Sequence, residues 1–219
     1  MENIVTDKLR QDTADVVVRW AKTPYYDAVE KQAMAQWQDL IQPFLAGYDI
    51  DYRSTLELAV GHGRMTEILL QQADHLTGVD VLQENIDFCS DRFGDHPKLT
   101  LLRNDGVTLP EVETDSVNFV FCFDSMIHFD SDVVRAYLRE FKRILAPGGK
   151  AFLHHSNLSR NPGGNFQTNA HARNFMSQAL FQHYAAKEGL ISLKSEVIDW
   201  GRGAKRVEKL DCLSLLGVS

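Results

Sequence analysis

The stretch Leu56-Glu57-Leu58-Ala59-Val60-Gly61-His62-Gly63-Arg64-Met65-Thr66 decides how this chain is read. Apolar residues crowd positions 54–60, Gly61 and Gly63 follow, and Met65, Ile68 and Leu69 then recur at helical spacing through 65–73. That is a strand, a glycine turn and a helix. Glycine at such a turn lets a ligand come close to the backbone, and the helix start offers N–H groups with no partner inside the helix. The next apolar run, His75–Val79, ends in Asp80, where a carboxylate can hold both hydroxyls of an adenosine ribose.

Outward from this core the pattern repeats. Ile86, Cys89 and Phe93 mark a helix, and 98–102 a third strand. Val117–Phe123 is apolar but for Asn118, as expected of a strand buried on both faces. Val133–Leu145 is amphipathic and stops at Pro147-Gly148-Gly149, and Lys150–His155 is strand-like again. Residues 158–170 are rich in Asn, Gly, Ser and Thr and read as a loop. The spacing predicts a helix over 171–188 and two closing strands, 190–200 and 208–217, around Gly201-Arg202-Gly203. Upstream, Val16, Val17 and Trp20, then Val29 to Ile41, predict two helices broken at Thr23-Pro24, because the residue before a proline disfavours helical geometry. Strands alternating with helices predict an α/β sandwich around a mostly parallel sheet. The last two strands leave no room for a helix between them, so one strand is expected to run antiparallel near an edge.

At 219 residues the chain is expected to form a single domain. Its parts are a helical cap over 1–50, a ligand-binding core over 51–157 and a loop, helix and hairpin over 158–219. Lys and Arg total 23 against 30 Asp and Glu, a formal charge of -7, which disfavours broad binding to nucleic acid. Three cysteines without metal-ligand spacing read as reduced thiols of a cytoplasmic protein. The start is charged throughout, and no apolar run approaches the ~20 residues of a membrane helix, so neither signal peptide nor membrane span is expected.

Two ligand classes suit the glycine turn. The dinucleotide fingerprint wants a third glycine where this chain has Thr66, and Glu57 would repel a pyrophosphate. A carboxylate there suits a cationic ligand, and S-adenosylmethionine carries an ammonium and a sulfonium. At this point the sequence resembles the class I S-adenosylmethionine-dependent methyltransferases. Glu57–Gly63 resembles their first motif, with Ala59 where many members have glycine. Gly78-Val79-Asp80, Asn104-Asp105-Gly106, Phe119–His128 and Phe141–Lys150 resemble the later blocks, in order, over about residues 54–152.

The resemblance implies a Rossmann-like methyltransferase fold with a seven-stranded sheet, S-adenosylmethionine as cofactor and S-adenosylhomocysteine as product. It implies that Glu57, Ala59 and the Gly61–Gly63 backbone hold the methionine end, with Asp124 close to it. Asp80 with Val81 would take the ribose, and Asp105 with Gly106 would face the adenine. Arg64 pairs with an acidic neighbour or with the cofactor carboxylate. Asp105 has an alternative as an Asx turn and Asp124 as a helix N-cap. Tyr25 and Tyr26, with Trp20, either cover the cofactor or pack in the core.

Methyl transfer from a sulfonium is an in-line displacement, and a hydroxyl acceptor gains from a base. The candidates are His128, after the fourth strand, and His154 and His155, ending the fifth. Adjacent strand residues point to opposite faces, so only one of the last two can face the site. Arg173 and Asn157 are candidate substrate contacts. No metal site is expected, because adjacent histidines diverge. The expected function is methylation of a small polar molecule, favouring a hydroxyl of a sugar or natural-product intermediate, by a monomer or homodimer. The rivals are methylation of a small amine and a non-catalytic protein that keeps the fold.

Overall fold

The computed structural model describes residues 2–20 and 25–219, without the side chains of 2–6, 18–20 and 27. The expected break at Thr23-Pro24 and the side chain of Trp20 lie outside the described residues.

Seven strands form one sheet: β1 (Ser54–Leu58), β2 (His75–Asp80), β3 (Leu99–Arg103), β4 (Val117–Cys122), β5 (Leu145–Ser156), β6 (Ile191–Trp200) and β7 (Val207–Gly217), in the order β3-β2-β1-β4-β5-β7-β6. The pairs β1–β2, β1–β4, β2–β3 and β4–β5 are parallel. β7 runs against both β5 and β6, so the single antiparallel strand sits one place in from the edge. The two-sided burial expected of Val117–Phe123 is found. Val120 and Cys122 join the core on one face, and Phe119, Phe121 and Phe123 join the core on the other.

Helix α7 (Ser131–Ile144) covers the first face with Val133, Val134, Tyr137, Leu138, Phe141 and Ile144, a stripe at helical spacing. The Asp130 carboxylate caps it by accepting from the Asp132 N–H. The second face packs on Trp37, Ile41 and Phe44 of the N-terminal helices. Those are α1 (Glu2–Trp20), α2 (Tyr25–Glu30), α3 (Ala33–Gln36), a π-helical turn (Trp37–Ile41) and α4 (Gln42–Leu45). The π turn has a cause. Pro43 has no N–H to return to Asp39, and the Gln42 N–H reaches back five residues to the Trp37 carbonyl. The remaining helices are α5 (Thr66–Leu69), α6 (Gln83–Phe93) and α8 (Gln178–Lys187).

The helix expected over 171–188 is shorter than its pattern. Ser177 caps α8 by accepting from the Leu180 N–H, and upstream of it a short 3₁₀ turn, Ala170–Ala172, carries left-handed backbone at His171 and Ala172 in place of α-helix. Arg173 is forked onto Asp211, and the Asn174 amide donates to the His128 carbonyl. Contacts to distant strands override the local helical spacing.

Candidate functional site

The carboxyl ends of β1, β2 and β4 open onto a cleft of about 690 Å³, counting its open mouth. At its mouth two non-glycine residues adopt left-handed backbone, Ala59 (φ 63) after β1 and Asp124 (φ 58) after β4. Such geometry costs an L-residue about 1–2 kcal/mol, and strain of this kind collects at functional positions. Ala59 stands where the resembled motif has glycine, which adopts positive φ without that cost.

Asp80 is the polar centre of the cleft. Its carboxylate accepts from the Gly61 N–H (3.0 Å), the Leu82 N–H (2.9 Å) and the Asn85 side chain (3.1 Å). Burial pushes this carboxyl up, and the three donors oppose the rise. A carboxylate has about four lone-pair positions, so one remains for a ligand hydroxyl. Ala59, Gly61, Val81, Gly106, Asp124 and Tyr26 line the same cleft. Apolar walls from Val16, Val17, Leu58 and Phe129 suit a flat, weakly polar ring. The residues present therefore fit an adenosine-bearing cofactor.

Glu57 and Arg64 line a narrower recess beside it. The Glu57 carboxyl accepts from the Thr66 hydroxyl at 2.6 Å, and burial pushes it up to about 8. Arg64 reaches the Asp124 carboxylate at 2.7 Å, and the Tyr25 hydroxyl donates to the same oxygen at 2.5 Å. Gly63 lines neither space. A Cβ on it would meet Phe93 at 2.6 Å, so it serves the close packing of α6. The Asp105 side chain turns onto its own loop, accepting from the Val107 and Thr108 N–H groups and pairing with Arg10, while Asn104 and Gly106 line the cleft.

A second cleft of about 1560 Å³, counting its open mouth, adjoins the first, and Tyr25, Asp124 and His128 line both. His128 Nδ1 lies 2.7 Å from the Ala172 carbonyl, which can only accept, so Nδ1 carries the proton and Nε2 the lone pair. Burial, reinforced by the charge of Arg173, pushes His128 down to about 4. Arg173 lines this second cleft, with its fork committed to Asp211 and one further N–H to the His171 carbonyl.

His154 and His155 are both fully buried and point to opposite faces of β5. His154 stacks on Phe123, and its Nδ1 accepts from the Asp124 N–H. His155 stacks on Phe181 of α8, bonds Ser214 and lines neither cleft. Asn157 also stays outside both and caps α8 through the Gln178 N–H. Thr13, Val16 and Asn85 line the first cleft and were not singled out in the sequence, since nothing local marks α1 as its wall.

These buried groups set a pH optimum for stability. Burial holds His128 at about 4 and His155 at about 3, both below the ordinary value near 6.5, so their contribution is complete above pH 6.5 and is lost on acidification toward those values. Burial raises Glu57 to about 8, so its contribution is complete below its ordinary value near 4.3 and is lost as pH rises through 8. Between pH ~4.5 and ~6.5 the unfolded chain binds one proton more at these three groups. Above ~6.5 the folded chain does. Urea unfolding is expected to show maximal stability near pH 6.5, falling by roughly 1.4 kcal/mol per pH unit on either side. A flat profile from pH 5 to 8 would show that these groups ionise alike in both states.

Residues 55–149 match the family described as methyltransferase domain. No curated protein matches the chain by sequence. Many solved structures share its fold, three of them as follows. The PH0226 protein from Pyrococcus horikoshii OT3 aligns with TM-score 0.69 at 16% identity, over 92% of this chain and 98% of that one. An S-adenosylmethionine-dependent methyltransferase from Clostridium acetobutylicum ATCC 824 aligns with TM-score 0.67 at 18% identity, over 89% and 98%. Geranyl diphosphate C-methyltransferase from Streptomyces coelicolor A3(2), solved with Mg2+, geranyl diphosphate and S-adenosyl-L-homocysteine, aligns with TM-score 0.65 at 14% identity, over 90% and 85%.

Proposed function

We propose, for a chain that is a class I S-adenosylmethionine-dependent methyltransferase with its methyltransferase domain at residues 55–149, that the acceptor is a small polar molecule methylated on a hydroxyl oxygen. The observation that carries this reading is the pair of adjoining clefts whose common wall is Tyr25, Asp124 and His128. One cleft fits the cofactor, and the other gives the acceptor a place from which to meet it.

When bound, the cofactor supplies an electrophilic methyl group on a sulfonium. The chain's residues supply the rest. Asp80 holds hydroxyls, the Asp124 carboxylate puts negative charge near a cationic group, Glu57 lines the adjoining recess as a buried carboxyl, and the apolar walls exclude water. His128 Nε2, the nitrogen with the lone pair, would take the acceptor's hydroxyl proton as oxygen bonds to the methyl carbon, and the sulfur, keeping the electron pair of the broken S–C bond, would leave as S-adenosylhomocysteine. The backbone carbonyl of Ala172 holds the imidazole in that tautomer. Polar groups around the second cleft, among them Gln32, Gln36, Asn169 and Arg202, suit a hydroxylated molecule such as a sugar or a natural-product intermediate.

The test is an acceptor screen read by S-adenosylhomocysteine release and product mass. Sugars, nucleotide sugars and polyols are set against their amino counterparts of matched shape. The hydroxylated set is expected to turn over. Turnover confined to the amines, at a rate unchanged by loss of His128, would replace this reading with N-methylation.

A further inference from the structure

Asp124 is held by its side chain and, separately, by its backbone. Its carboxylate is shared between Arg64 and Tyr25. Its N–H, in the strained left-handed segment after β4, donates to His154 Nδ1 at 3.2 Å. His154 stacks on Phe123, with ring centroids 4.9 Å apart, meets the tilted ring of Trp200 at 4.6 Å, and has 0% of its surface exposed. Its Nε2 lies 3.3 Å from Asp211 Oδ2, off the line of a good hydrogen bond. Asp211, also fully buried, is forked onto Arg173 on the wall of the second cleft.

Building on the methyltransferase reading, we propose that His154 is a positioning residue that fixes Asp124 at the seam of the two clefts. A backbone N–H can only donate, so Nδ1 must be the lone-pair nitrogen and Nε2 must carry the proton. Asp211 is an anion facing Nε2, and it favours that tautomer over the reverse. Burial pushes the Asp211 carboxyl up, but the Arg173 fork and His154 outweigh burial and bring it down to about 2. Phe123, stacked on the imidazole, and Trp200, tilted against it, hold its plane, and the Arg173 fork fixes the carboxylate. The chain Arg173–Asp211–His154–Asp124 thus links a wall of the acceptor cleft to the rim of the cofactor cleft through groups that leave solvent no access. His154 lines neither cleft, so it acts on the reaction through Asp124.

The test uses the full-length protein and needs no acceptor. In 15N-histidine NMR of the wild type, His154 is expected to show an unprotonated Nδ1 and a protonated Nε2. His154→Asn keeps an oxygen acceptor close to the place of Nδ1, and His154→Leu keeps bulk without an acceptor. S-adenosylmethionine affinity by calorimetry is expected within about threefold of wild type for His154→Asn and at least tenfold weaker for His154→Leu. Exchange of the Asp124 amide hydrogen should speed up in the leucine variant alone. A proton on Nδ1 in the wild type overturns the proposal. So does equal behaviour of the two variants, whether both weak or both intact. If the leucine variant does not fold, the wild-type tautomer and the Asn variant decide. A wild type that fails to bind S-adenosylmethionine defeats the cofactor assignment instead, leaving the tautomer and the amide exchange to report on the contact itself.

Discussion

Replacing Asp80 by alanine is expected to weaken S-adenosylhomocysteine binding by at least 100-fold, as measured by calorimetry. Two effects combine. The ribose hydroxyls lose a charged acceptor, and hydrogen bonds to charged groups contribute ~1.5–3 kcal/mol each. The Gly61 N–H, the Leu82 N–H and the Asn85 amide also lose their common partner, so the glycine turn loses its anchor to β2. One lost ligand bond of that size corresponds to roughly a 10–10²-fold change in affinity, and the loosened glycine turn adds to it. Asp80→Asn keeps the shape and one acceptor oxygen, and should fall between the alanine variant and the wild type. Binding by Asp80→Ala within threefold of wild type would remove Asp80 from the ribose site.

The second large effect is expected at His128. His128→Ala should lower turnover by about 100-fold, while S-adenosylhomocysteine affinity stays within threefold. General bases contribute ~10²–10⁴-fold, and a base far from neutral pKa sits at the low end of that range. Burial and Arg173 hold this imidazole at about 4, so it is in its basic form throughout the neutral range. The wild-type rate therefore should not rise through the pH 6–7 window where an unperturbed histidine would switch on, and the His128 form is lost only as pH falls toward 4. A rate that climbs tenfold between pH 6 and 7.5 would assign the base to another group.

The sheet was legible because its information is local. Val117–Phe123 is apolar at every position but Asn118, which only a strand covered on both faces tolerates. The antiparallel β7 followed from the short span between residues 200 and 208, too small for a crossover helix. The residues lining the first cleft were partly legible for the same reason: Ala59, Gly61 and Asp80 lie at strand ends that mark themselves. What stayed hidden depends on distant pairs. The parity of His154 and His155 showed that they diverge, but not which one meets Asp124, because that is settled by Trp200 and Asp211 on one side and Phe181 on the other. Arg173 read as a candidate substrate contact, but its fork is taken by Asp211, 38 positions later. Asn157 read as a substrate contact, yet its carbonyl oxygen caps the helix that begins at Gln178.

Helix α2 carries one further consequence. Tyr25 donates to Asp124 at the wall common to both clefts, and its neighbour Tyr26 accepts from Asn85 beside Asp80. At the other end of this six-residue helix, Glu30 pairs with Arg92. One six-residue helix thus touches the wall of both clefts and is tied down at its far end, so a substitution that loosens α2 is expected to disturb cofactor and acceptor sites together.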